Sequence, residues 1–217
     1  MELKLYVDRM SQPSRAILIF CKTNGIEFEE VKILLAKRQH HSPEFAGEVN
    51  PMKQVPAIVY GDFKLFESHA ILIYLASAFP GVADHWYPAD VRKKSKDPLS
   101  VGLAPLKFAP WCRLYFPFGY IFNDSIAIAL GLPLNPKAAA EGEKLLSASL
   151  AMIKLIGSRE MGAFLLGNSE PSIADLALVC EITQLEVADE NDRDRILGPH
   201  KRILKWIKTQ RMQRALF

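Results

Sequence analysis

Leu3-Lys4-Leu5-Tyr6-Val7-Asp8-Arg9-Met10-Ser11-Gln12-Pro13-Ser14-Arg15 is the stretch that decides the fold. Leu3 to Val7 alternates apolar and polar with period two, which predicts a strand with one face buried. Pro13 suits the first turn of a helix, and Ala16, Ile19, Phe20 and Thr23 then recur at helical spacing until Asn24-Gly25 stops them. A strand running straight into a helix is the start of an α/β unit. The residues that follow extend it. Glu27 to Leu34 returns to strand character. Pro56-Ala57-Ile58-Val59-Tyr60 and Lys64-Leu65-Phe66 flank Gly61-Asp62, a hairpin signal. Ser68 to Ala78 is apolar at helical spacing and ends before Pro80-Gly81. The order strand, helix, strand, loop, strand, strand, helix predicts a small α/β domain on a mixed sheet over residues 1–79.

Residues 80–90 are turn-rich, carry Trp86, Tyr87 and Pro88, and are expected to form an interdomain linker. Residues 91–217 are expected to form an all-helical domain. Lys137 to Leu155, helped by three consecutive alanines, Ser172 to Val187, and His200 to Arg214 have the strongest helical periods.

The whole chain has 217 residues, enough for one large core or two modest ones. Hydrophobic residues make up 49% and charged ones 24%, which argues against a disordered chain. Lys+Arg 27 against Asp+Glu 24 is too even, and too little interleaved with aromatics, to predict a nucleic-acid partner. The longest apolar runs are too short to predict a membrane span. Met1-Glu2-Leu3-Lys4 lacks the features of a secretory signal. Cys21, Cys112 and Cys180 show neither disulfide nor metal spacing, so a reducing compartment without bound metal is expected.

Three places could carry chemistry. Ser11 precedes a helix, where free backbone N–H groups and the helix dipole favour an anion, although an N-cap serine answers to the same description. Val55-Pro56 stands directly before a strand. A cis bond there would present the backbone of Val55 to a ligand, whereas a trans turn proline needs no ligand. Glu67-Ser68 puts a carboxylate, a hydroxyl and free N–H groups at one helix start, which is also what an ordinary cap looks like.

Taken in order, Ser-Gln-Pro-Ser-Arg after the first strand, Gln54-Val55-Pro56-Ala57, and Phe66-Glu67-Ser68-His69-Ala70-Ile71 resemble the glutathione-binding half of a glutathione transferase. Leu35 to Phe45 and Asp84-His85-Trp86-Tyr87-Pro88 narrow the resemblance to the theta class, most like plant members. The match runs almost without gaps from Leu3 to Arg92. It implies a thioredoxin-like first domain and an all-α second domain that supplies the electrophile pocket. The implied activity is conjugation of glutathione to small hydrophobic electrophiles in detoxification, with reduction of organic hydroperoxides as a further activity.

The resemblance also assigns residues. Ser11, with Gln12 beside it, would donate to the glutathione sulfur and favour the thiolate, and Arg15 would support that electropositive site. Val55, held by cis-Pro56, would pair with the cysteinyl backbone. Glu67 and Ser68 would hold the γ-glutamyl end, and His40, His41 and Gln54 the glycyl end. Glutathione is a co-substrate, no other cofactor is implied, and a cytoplasmic homodimer is expected, with nucleus and peroxisome left open. Glu170-Pro171-Ser172-Ile173-Ala174-Asp175-Leu176 matches the family's capping box, with Ser172 at the N-cap and Asp175 at N3.

The second domain departs from this pattern. Pro98, Gly102, Pro105, Pro110 and Pro117 deny a continuous helix to residues 96–118, which are expected to be irregular. Asp97 to Leu106 can be encoded by nucleotides that, read one base later, spell the plant theta run from Ile-His-Ser to Trp-His-His. Leu155 to Gly162 and Arg211 to Phe217 can be regrouped in the same way. This favours altered reading frames, with a C-terminus shortened by the family's last helix, over the alternative of real divergence in a fast-changing pocket domain. The second expectation is therefore a glutathione-binding but catalytically impaired variant or pseudogene product.

Overall fold

A computed structural model describes residues 2–90, 136–156, 164, 169–187 and 190–209. The segment 96–118, Cys112, and the residues from Gln210 onward lie outside the described residues. The chain divides into two units, with the boundary between Ala89 and Asp90.

The first unit is built on a four-stranded sheet. Strand β1 (Leu3–Val7) leads to helix α1 (Gln12–Thr23) and strand β2 (Glu29–Lys32); helix α2 (Pro43–Glu48), strands β3 (Ala57–Tyr60) and β4 (Phe63–Phe66), and helix α3 (Ser68–Ala78) follow. The strand order is β2-β1-β3-β4, parallel between β1 and β2 and antiparallel elsewhere. β1 buries Leu3, Leu5 and Val7 while Lys4 and Tyr6 face the other way, as the alternation predicts.

Pro13 sits in the first turn of α1, and Gly25 at φ 64° ends it, a backbone angle at which glycine has no steric penalty. Every residue from Ala16 to Cys21 is buried, so α1 is enclosed on nearly all sides and packs against α3. Phe20 also meets Trp86 edge-on, with ring centroids 5.2 Å apart. Burying Trp86 attaches the 80–89 segment to the first unit, a contact worth about 1 kcal/mol beyond its buried area. On the opposite face of the sheet, Phe45 and Val49 pack with Ala57, against Tyr6, Val59 and Phe66. The sheet thus has helices on both sides.

The pattern predicts only a loop between Leu34 and Pro56. The structure has two short 3-10 turns, Leu35–Lys37 and Gln39–His41, and then α2. The Ser42 hydroxyl accepts from the Phe45 N–H at 3.1 Å, and proline occupies the first turn of α2. One and a half turns leave too few residues to show a period, so the helix is hidden in the sequence apart from its Ser-Pro start.

The described part of the second unit is helical: α4 (Pro136–Ile156), α5 (Ile173–Ile182), α6 (Glu190–Leu197) and α7 (Lys201–Thr209). Helix α5 is buried except at Ala177 and Glu181, and its continuation from Thr183 to Val187 tightens to 3-10 geometry. Its start carries the expected capping box. The Ser172 hydroxyl accepts from the Asp175 N–H at 3.3 Å, and the Asp175 carboxylate accepts from the Ser172 N–H at 2.9 Å and its hydroxyl at 2.7 Å. Helix α6 was not expected, because Glu190-Asn191-Asp192-Arg193-Asp194-Arg195 offers no apolar stripe. It buries only Ile196 and Leu197 and carries charge pairs: Arg193 with Glu190, Arg195 with Asp192, and Arg195 with Glu143 of α4. It ends at Gly198, where a Cβ would lie 2.4 Å from the Asp194 carbonyl oxygen.

No helix among the described residues is long and apolar enough to cross a membrane, and no group of three His, Cys, Asp or Glu among them could hold a metal ion.

Candidate functional site

The sheet register brings the candidate segments to one edge. Tyr6 stands opposite Val31 on one side and Ala57 on the other, and Ala57 stands opposite Phe66. Beyond that row, β1 runs on to Ser11, β2 to His40 and His41, and β4 to Glu67 and Ser68. β3 is entered there from Gln54-Val55-Pro56. Three strand spacings of about 4.8 Å give an edge of about 14 Å, and an extended tripeptide spans about 10 Å. Helices α1 and α3 both begin at this edge, so two sets of free N–H groups and two positive dipole ends meet there.

Ser11 is the N-cap of α1 through its backbone, whose carbonyl accepts from the Arg15 N–H at 3.0 Å, but not through its side chain. Its backbone is extended (φ −81°, ψ 121°), its side chain makes no cap hydrogen bond, and the residue is 5% exposed. The hydroxyl of an ordinary N-cap serine would bond to the second or third helical N–H. Gln12 and Arg15 are buried beside it. The Arg15 guanidinium donates from Nη1 to the carbonyls of Arg9 (3.2 Å) and Met10 (3.1 Å), so it anchors the loop that delivers Ser11. Cys21 lies fully buried in α1, where desolvation pushes its thiol up to about 12, so it holds no thiolate at neutral pH.

The Val55-Pro56 bond is cis. Pro56 is buried, Val55 half-buried and Gln54 exposed. The loop before them is organised by Asn50, which the sequence reading did not single out. This side chain, 1% exposed, accepts from the Met52 N–H (2.9 Å) and donates to the Gln54 carbonyl (2.8 Å). Its backbone carbonyl accepts from Lys53, which sits at φ 55°. A buried Asn flanked by Pro51 is the available signal, but nothing local says which groups it binds.

Glu67 occupies the N-cap position of α3 with no side-chain cap bond, an exposed side chain and a backbone at φ 73°, ψ 109°. A non-glycine residue there stores about 1–3 kcal/mol of strain, which points to a use for its side chain. Ser68, half-buried, begins α3. Glu67→Gly should therefore raise stability by about 1 kcal/mol, because glycine takes this conformation without the steric penalty. Urea unfolding tests this; an unchanged or lower stability would show that the conformation stores no strain.

His40 and His41 share the second 3-10 turn, with rings 4.2 Å apart. Desolvation, then His41 and Arg38, hold His40 below its usual range. Burial does the same to His69 in α3, against the opposing pull of Glu67. Both histidines are thus harder to protonate in the folded chain than in the unfolded one. Their contribution is complete above about pH 6.5 and is lost as the pH falls through their lower folded values. Stability should decline from pH 6.5 towards 5, and His69→Asn should flatten that slope. An unchanged slope by urea titration would count against it.

The glutathione S-transferase N-terminal domain family matches residues 1–77. Glutathione S-transferase T1 of Arabidopsis thaliana is 55% identical over 208 residues, covering 96% of this chain and 82% of that protein. Glutathione S-transferase T2 of the same plant is 54% identical over 97% of this chain, which spans only 35% of that longer protein. Among solved structures, the human theta-class glutathione transferase in complex with the glutathione conjugate of 1-menaphthyl sulfate superposes with a TM-score of 0.80. It is 29% identical, with 96% of this chain and 80% of that one covered.

Proposed function

The chain belongs to the theta-class glutathione transferases, and we propose that it binds glutathione along the shared edge of its sheet, with Ser11 donating its hydroxyl hydrogen to the sulfur. The observation that carries this reading is that the Ser11 hydroxyl, although at a helix start, is not spent on the helix. A donor aimed at sulfur stabilises thiolate over thiol and lowers the pKa of the bound thiol. The two helix N-termini act in the same direction.

Around that sulfur the other segments hold the tripeptide. Val55 pairs strand-like with the cysteinyl backbone, which Asn50 helps by fixing the preceding turn. Glu67 accepts from the γ-glutamyl ammonium, and Ser68 with the N–H groups of α3 donates to its carboxylate. His40, neutral at pH 7, donates an imidazole N–H to the glycyl end, with His41 and Gln54 beside it. The thiolate then attacks a small hydrophobic electrophile. With an arylmethyl sulfate, a carbon–sulfur bond forms, the carbon–oxygen bond breaks and sulfate leaves. The thiol proton has already passed to solvent. The protein contributes thiolate stabilisation and positioning, and glutathione is the co-substrate.

The electrophile pocket is assigned to residues 91–217, the assembly to a homodimer and the compartment to the cytoplasm. Similarity across 96% of the chain favours a working transferase over an impaired glutathione binder. Calorimetry with a glutathione conjugate tests the reading. Saturable heat with one site per chain is expected, abolished by excess glutathione, and a folded sample that gives no heat would overturn it.

A further inference from the structure

Asp8 follows directly on β1 and plays no part in the proposed contacts with glutathione, yet its half-buried carboxylate is the junction between two of the loops that make them. One oxygen, Oδ1, accepts from the Met10 N–H at 2.9 Å; the other, Oδ2, accepts from the Leu35 N–H at 2.9 Å, twenty-seven residues away on the segment leading to His40. The backbone carbonyl of Asp8 accepts from the Ser11 N–H, also at 2.9 Å. Both carboxylate oxygens and the backbone carbonyl of Asp8 therefore go to the Ser11 loop or to the loop beyond β2.

The surroundings reinforce the junction from both sides. On the Ser11 side, Arg15 clamps the carbonyls of Arg9 and Met10. On the β2 side, the Leu34 N–H donates to the Gln39 side chain at 2.7 Å, and the Leu34 carbonyl accepts from Lys37 and Gln39. Arg9 adds a two-pronged ion pair to Glu30 of β2 at 2.9 and 2.7 Å. Each loop is thus internally rigid, and Asp8 sets one against the other.

We propose that Asp8 is a positioning residue that holds the Ser11 loop in register with the Leu35–His41 segment, so that the hydroxyl meets the sulfur of a glutathione whose glycyl end is already seated. This rests on the reading of Ser11 as the thiolate donor. A shift of a few tenths of an ångström at Ser11 weakens a hydrogen bond steeply, because strength depends on donor distance and angle. The two loops leave neighbouring parallel strands and have no ladder between them past Val7 and Ile33, so a side chain has to supply the link.

Asp8→Asn keeps the shape but replaces one acceptor oxygen by an NH₂ group that cannot accept. Leu35→Pro removes the facing N–H at the start of a 3-10 turn, preceded by an extended residue (Leu34, ψ 103°), where proline fits. The experiment follows thiolate absorbance of bound glutathione across pH in the full chain, with steady-state rates on 1-menaphthyl sulfate, for both variants, their double and Ser11→Ala. Each single variant should raise the pKa of the bound thiol by about one unit and lower kcat about tenfold, with less than a threefold rise in KM for glutathione. The double variant should be no worse than Asp8→Asn. A role confined to folding would reduce the active fraction and leave the thiol pKa where it was, and that result overturns the proposal. If Asp8→Asn does not fold, Leu35→Pro decides alone. If Ser11→Ala leaves the thiol pKa unchanged, the failure lies in the reading of Ser11 instead.

Discussion

Ser11→Ala should lower the rate of glutathione conjugation on the order of 100-fold while leaving thermal stability and glutathione affinity almost unchanged. The two halves have separate causes. An oxygen donor matters most once the sulfur is charged, so its loss acts on the transition state and on the thiol pKa more than on the neutral ligand. Stability is spared because this hydroxyl caps nothing. Removing a capping serine elsewhere costs about 1 kcal/mol. The melting temperature therefore distinguishes the two readings that the sequence leaves open for this residue. A cap would show as a lower melting temperature with intact activity; a thiolate donor shows the reverse. Full activity in the variant would move the role elsewhere, with Arg15 the first residue to test.

The elements that could be read in advance are those whose own residues settle them. The alternation of Leu3 to Val7 needs no partner to be recognised, and Gly61-Asp62 fixes a two-residue turn, with Gly61 at φ 65° between Tyr60 and Phe63. Helix α3 runs over the expected Ser68–Ala78 because its apolar residues continue for three turns. Helix α6 was hidden for the opposite reason. It is held by ion pairs and by two residues at its end, and a charged octapeptide reads as a solvated loop.

The candidate site was legible as a set of motifs and not as a place. Ser11, Val55-Pro56 and Glu67-Ser68 each have an ordinary structural explanation in the sequence. What changes their weight is the pairing of Tyr6 with Val31 and Ala57, and of Ala57 with Phe66, which sets them along one edge. The positive φ of Glu67 was not legible, because a glutamate gives no warning of a conformation that glycine usually takes. Asp8 and Asn50 were also missed. Both bind backbone groups, and a side chain's backbone partners depend on how distant loops are brought together.

Asp175→Ala should be the most damaging change to the start of α5, lowering stability by about 2–4 kcal/mol without lowering activity per folded molecule. Asp175 is fully buried at the third position of α5, and its Oδ2 accepts from both the N–H and the hydroxyl of Ser172. Truncation leaves the Ser172 N–H, 3% exposed as a residue, without that partner, and an unmet buried donor carries its full desolvation cost. Ser172→Ala removes one oxygen from the same box but leaves the carboxylate on the backbone N–H, so it should cost less, about 1 kcal/mol. The two changes should be strongly non-additive, because each removes the bond at 2.7 Å that the pair shares. For a chain of this length, each kcal/mol corresponds to about 2–4 °C, so the melting temperature of Asp175→Ala should fall by about 4–16 °C. Additive effects in the double variant would mean that Asp175 supports α5 through other contacts. A loss of activity in the folded fraction would mean that the start of α5 bears on the reaction as well as on the fold.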